Sequence, residues 1–105
     1  MLVSKSKFEV EDIVTFKMVN GDEVIAEISE ITPDGYLLRR PCLVMPSPQG
    51  LGLIQALFSA DTDKLVELKH QHIMMKAPTL DQMQKHYLQT TTGIAPVTAG
   101  TKIIT

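Results

Sequence analysis

IVTFKMVNGDEVIAEISEI, residues 13–31, alternates apolar and polar side chains on both sides of an Asn-Gly pair. In an extended chain Val14, Phe16 and Met18 fall on one face, and Thr15 and Lys17 on the other. That is the period-two pattern of a half-buried strand. Asn20-Gly21 predicts a tight hairpin, because a type I′ turn needs positive φ at both central positions. Glu23 to Ile31 predicts the returning strand, with Val24, Ala26 and Ile28 facing inward.

Working outward, Thr32-Pro33-Asp34-Gly35 predicts a second turn, with proline fixing φ and glycine free to take a positive one. Tyr36 to Met45 predicts a third strand, marked by an edge, bulge or bend at Pro41, since proline donates nothing to a ladder. After a loop over 46–50, Leu51 to Phe58 (LGLIQALF) carries no charge and is almost continuously apolar. Helix and strand both fit such a run, but its short length between loops favours a strand buried on both faces. Lys64 to Leu68 alternates again, and whether it continues the previous strand stays open. His72 to Ala77 predicts the last strand, with Met18, Met74 and Met75 at core-like positions. Beyond Pro78 the period changes. Thr79 and Gln82 have the spacing of a capping box, and Leu80, Met83, Tyr87 and Leu88 recur at helical spacing as a packing face. The helix should end near Thr91 with Gly93 as its stop, followed by a flexible tail over 95–105.

A chain of 105 residues with 44% hydrophobic and 21% charged residues has room for one ordinary core. The single cysteine, Cys42, forms no intrachain disulfide and fits a reducing compartment. Residues 1–7 have no apolar stretch of signal-peptide length, and no run approaches a membrane span. The expectation is a cytoplasmic protein that does not use a membrane. A net charge of −2 and a pI near 5.8 do not suit a protein that coats duplex nucleic acid. A nucleic-acid site would have to be local. No Gly-rich phosphate loop or nucleophile elbow occurs, and Asp61 and Asp63 read as a polar surface loop, so no catalytic residues and no enzymatic activity are expected.

Several positions carry a resemblance. Gly21, Ala26 and Ile28 have the spacing of the first motif of the Sm-like family. Leu68-Lys69-His70-Gln71-His72-Ile73 has that of the second, with lysine for arginine and histidine for glycine. The Lys-His pair is also similar to the bacterial Hfq branch. With its C-terminal helix and Thr-Thr-Gly-Ile at 91–94, the whole chain resembles the small Sm-like proteins of marine cyanophages. The resemblance implies a mainly β fold: a small, strongly bent five-stranded antiparallel Sm-like barrel with a C-terminal α-helix. It would span residues 1–94, with strands over about 13–77 and the helix over about 80–91. It also implies a homo-oligomeric ring of about five to seven subunits. Lys69 and His70 would face its pore, and Tyr36 could stack a base. Where the family's turn places an aspartate, a stacking residue and an asparagine, this chain has Thr32, Gly35 and Tyr36. Uridine specificity is therefore not implied.

A ring also follows from the residues alone. Exposed sheet edges invite pairing unless blunted by charge or proline. Leu51 to Phe58 has neither, and His72 to Ala77 has only Lys76. Pairing one with the other on a second copy is a heterologous contact, which closes into a ring when the rotation allows. Leu51, Leu53, Ile54, Leu57, Phe58, Ile73 and Met75 are the expected interface residues. The alternative leaves 51–58 as a central core strand. His70 and His72 would share a face on a continuous strand, but no third ligand is near in sequence, so neither a metal nor a cofactor is expected. Arg39 and Arg40 point to opposite faces, so one should face solvent and the other a neighbouring subunit or the rim; a salt bridge across a subunit boundary, with Glu27 or Glu30 as candidate partner, is expected in preference to contact with nucleic acid. Two functions remain: a ring that binds single-stranded RNA, or a structural or assembly ring of phage origin whose ligand is a protein.

Overall fold

The structure is a computed structural model and describes residues 8–61 and 63–92. The expected tail over 95–105, the stop at Gly93 and the last part of the 91–94 sequence lie outside the described residues. Six antiparallel strands are followed by one helix: β1 (Ile13–Met18), β2 (Glu23–Thr32), β3 (Gly35–Ser47), β4 (Gly50–Gln55), β5 (Val66–Lys69), β6 (Ile73–Pro78) and α1 (Asp81–Thr92). The sheet runs β4-β3-β2-β1-β6, with β5 beside β3. Among the described residues β4 and β6, the two ends of this path, do not pair with each other, so the sheet is not closed into a barrel and its strands number six, not five.

The sixth strand resolves the open reading of 51–68. β4 pairs with the distal half of β3, from Cys42↔Gln55 to Ser47↔Gly50. β5 pairs with its proximal half, from Gly35↔Lys69 to Leu38↔Val66. Two strands thus share one edge of β3, and the chain between them leaves the sheet. The expected strand over 51–58 stops at Gln55, so Leu57 and Phe58 lie in this excursion. Nor is it buried on both faces, since Leu51 is 50% exposed. It is an edge strand, not a central one.

β1 follows the alternation, with Val14 and Phe16 fully buried. Its hairpin differs from the expected type I′. Gly21 N donates to Met18 O (2.9 Å) and Met18 N to Asp22 O (2.8 Å), and of the turn residues Gly21 alone has positive φ, at 98°. This is the three-residue loop with a left-handed glycine. Asn20 Oδ1 instead accepts the Asp22 N–H at 3.0 Å.

Two clusters occupy opposite faces. On one, Val14, Phe16, Ala26, Ile28, Tyr36 and Leu38 pack with Leu68 of β5 and Ile73 of β6. On the other, Ile25, Cys42, Val44 and Tyr87 pack with Met83. The parity of β3 changes between Leu38 and Cys42 because the register slips there: Glu27 faces Arg39 and Ile25 faces Cys42. One extra residue in β3 makes a bulge, and Arg40 takes φ of 47° in it. The sequence signal was Pro41, which marked a bend without showing that it reverses the faces. Methionine placement also needs correction: Met74 and Met75 are 54% and 62% exposed, beside an irregularity in the β1–β6 register.

α1 covers the second cluster. It starts at Asp81, and the Thr79 hydroxyl is shared with that of Thr15 at 2.9 Å instead of completing a capping box. Met83 and Tyr87 form the packing face, whereas Leu80 and Leu88 of the expected stripe are 68% and 41% exposed. Among the described residues no helix is long and apolar enough to cross a membrane.

Candidate functional site

The β5 strand brings Lys69 opposite Gly35, at the turn between β2 and β3. That approach requires glycine: a Cβ at position 35 would come 1.9 Å from the Leu68 carbonyl oxygen. Positive φ, expected there from the turn chemistry, is not the reason, since Gly35 does not adopt it. The turn is closed by Gly35 N donating to Thr32 Oγ1 at 3.0 Å. His70 N donates to Asp34 O at 2.8 Å and ties the second turn to the first. His70–His72 form one turn of 3-10 helix between β5 and β6.

Lys69 Nζ lies 3.1 Å from Glu67 Oε2, and both side chains are largely solvated. The hydrogen bond and charge of Glu67, with a smaller contribution from Asp34, hold the Lys69 ammonium above the usual lysine range. Such an exposed pair adds little stability, but it neutralises part of the charge that Lys69 presents. The His70 ring is exposed and stands edge-on to Tyr36, 5.2 Å between centroids at 81°. Tyr36 is only 4% exposed, with Phe16 5.5 Å away. Its ring is therefore packed, and a base stacked on it would have to displace a neighbour.

The sequence reading missed Lys76. β6 pairs it with Phe16. Its ammonium donates to the Tyr36 hydroxyl and lies 5.0 Å from that ring's centroid and 5.8 Å from that of Phe8. Three distant segments meet there, so no local spacing announces the contact. Beside the turn, a cavity of about 450 Å³ reaches from Lys69 and His72 to Asn20 of the first hairpin. Val19 N donates to His72 O at 2.9 Å. Because His70 and His72 belong to a 3-10 turn, they do not form the strand-face pair considered from sequence. Among the described residues no three His, Cys, Asp or Glu groups lie close enough to hold a metal.

Of the other expected residues, Ile73 directly follows this turn, and the rest lie elsewhere on the sheet or in the loop after β4. Leu51, Leu53 and Ile54 are on β4, with Leu57 and Phe58 in the loop beyond it. Phe58 is 78% exposed. Ile73 and Met75 are on β6, at the opposite end of the sheet path. Arg39 pairs with Glu27 at 3.5 Å within the chain. Asp61 Oδ1 accepts the Asp63 N–H at 2.9 Å, closing its own loop. The sequence matches no protein-family model and no curated protein.

Proposed function

We propose that this chain is a subunit of an Sm-like ring that binds single-stranded RNA without catalysing a reaction. The observation that carries the reading is the joined pair of turns: His70 N on Asp34 O, with Lys69 opposite Gly35. The strand order supports it, because the second motif, Leu68 to Ile73, falls on the β5–β6 turn. Lys69 supplies charge and His70 hydrogen bonding, with an exposed ring that can also stack; Tyr36 backs His70. Symmetry repeats each lysine into a collar, so an acidic subunit still holds phosphates locally. The ring closes through the unpaired edges of β4 and β6. It acts in the cytoplasm, that of the host cell if the chain is phage-encoded.

The test is a mobility-shift titration of single-stranded oligoribonucleotides at low salt, with sedimentation to count subunits. A shift that Lys69→Ala abolishes supports the reading; no shift, or one that Lys69→Ala leaves unchanged, overturns it. The second reading is a structural or assembly ring of phage origin that docks a protein. It is favoured by Glu67, which offsets Lys69, and by the exposed Leu80 and Leu88 on α1. Loss of a co-purifying protein in a Leu80→Ser, Leu88→Ser variant, with RNA binding absent, would select it.

A further inference from the structure

Midway along β3 the chain leaves an opening beside the proposed ring edge, to which the ring reading assigns no ligand. Ala56 N still donates to Pro41 O at 3.0 Å, but the chain then departs from β3 and rejoins it only at Val66. A cavity of about 310 Å³ fills the gap. Pro41, Cys42, Leu53 and Leu57 give it an apolar surface, and Arg40, Lys64 and the last turns of α1 reach it as polar groups. Its volume is at the lower end of small-ligand sites, roughly 300–1,000 Å³, which are mostly apolar with a few placed polar groups.

The charges at this cavity are unequal. Arg39 has Glu27, but among the described residues neither Arg40 nor Lys64 has an acidic group within ion-pair distance. The carboxylate present, Asp61, accepts the Asp63 N–H at 2.9 Å, while its carbonyl accepts that of Lys64 at 3.0 Å. The carbonyl end of a helix would disfavour an anion. Here the Thr91 hydroxyl donates to Tyr87 O (2.8 Å) and that of Thr92 to Leu88 O, one turn inside that end, so it is the charge of Arg40 and Lys64 that has to outweigh the terminal carbonyls. Arg40 also takes a backbone conformation that is uncommon for a side chain of its size, with φ of 47°.

We propose that this cavity binds a small anion with a compact apolar body, an aryl or branched-alkyl carboxylate or phosphate monoester. Arg40 and Lys64 take the charge, and Pro41, Cys42 and Leu53 take the body. Leu53 and Leu57 belong also to the proposed ring edge, so binding is measured on the protein in the oligomeric state in which it purifies.

The experiment is an amide NMR titration with benzoate and with phenyl phosphate, using benzyl alcohol and inorganic phosphate as controls. Saturable shifts at Cys42, Leu53 and Thr91 are expected with one or both aryl anions. Response to benzoate alone assigns a carboxylate, to phenyl phosphate alone a phosphate ester, and to both an anion of either kind. The Arg40→Gly, Lys64→Gln variant should bind about tenfold more weakly or worse. Glycine accepts the positive φ at position 40, so this variant keeps the bend. The proposal is overturned if neither aryl anion gives a saturable shift at millimolar concentration. It also fails if either control binds as tightly as the aryl anions, or if the double variant binds them unchanged.

Discussion

The hydroxyl of Tyr87 sits where two backbone groups of the sheet would otherwise face each other. It accepts the Glu27 N–H at 3.1 Å and donates to Arg39 O at 2.7 Å, beside the bulge. Tyr87→Phe should destabilise the fold by about 1–3 kcal/mol, because two part-buried backbone groups lose their partner. Urea denaturation checks this. Burial pushes the Tyr87 hydroxyl well above the ordinary tyrosine value, with Cys42 and Glu27 adding and the backbone hydrogen bond opposing. A raised folded-state value means that stability is fully present below the unfolded pKa, about 10 for tyrosine, and is lost as pH rises beyond it. Burial also raises the Cys42 thiol, so its contribution is lost above about pH 8.5 by the same sign. The urea midpoint should therefore fall between pH 9 and 11, and fall less in Tyr87→Phe. A midpoint equally pH-sensitive in that variant would remove Tyr87 as the cause. At Gly35 the expected effect is larger. A Cβ 1.9 Å from a backbone oxygen forces β3 and β5 apart, so Gly35→Ala should cost about 3 kcal/mol or more and weaken any ligand binding at the Lys69 turn.

At the scale of elements, β1 and the proximal part of β3 were legible because each buries one side of an alternating pattern, and β2 because its inner face follows such a pattern, although Ile25 is buried on its other face as well. Val14, Phe16, Ala26 and Ile28 all lie where period two puts them. The rest failed for identifiable reasons. Counting by twos cannot see an inserted residue, so the bulge at Arg40 hid the reversal that places Cys42 and Val44 under α1. The apolar run at 51–58 was long enough for one strand, but its last residues leave the sheet. Helical spacing marked four apolar residues, yet α1 rests on the sheet through Met83 and Tyr87 only. Lys76 and Tyr36 meet across β6, β1 and β3, a contact that no spacing contains. The Lys69 turn was readable because its residues are contiguous. If the free edges of β4 and β6 form the seam of a ring, Ile54→Asp with Met75→Asp should yield folded monomers, since buried charge without a partner is costly. Sedimentation and circular dichroism together check this. A folded variant that still assembles would place the seam elsewhere.

At the scale of the whole molecule, electrostatics decide between the two ring readings. Each chain carries a formal charge of −2, so assembly multiplies a field that repels RNA at long range. In the proposed ring, attraction would have to come from a short-range collar of Lys69 side chains, and the Glu67–Lys69 pair would weaken it. This leads to an opposite-sign pair of variants. Lys69→Ala should weaken RNA binding and make the salt dependence shallower, by about 0.7 in the log–log slope for each phosphate that is no longer neutralised. Glu67→Gln should strengthen binding at low salt, because it frees the ammonium and adds no new group to the interface. The gain should shrink as salt screens both charges, over a Debye length of about 8 Å at physiological ionic strength. Fluorescence anisotropy across a salt series measures both effects. Should Glu67→Gln leave affinity unchanged while Lys69→Ala lowers it, the lysine would be acting through the geometry of its turn, not through its charge. Should neither variant alter the slope, phosphate is not held at this turn, and the ring reading with a protein ligand takes precedence.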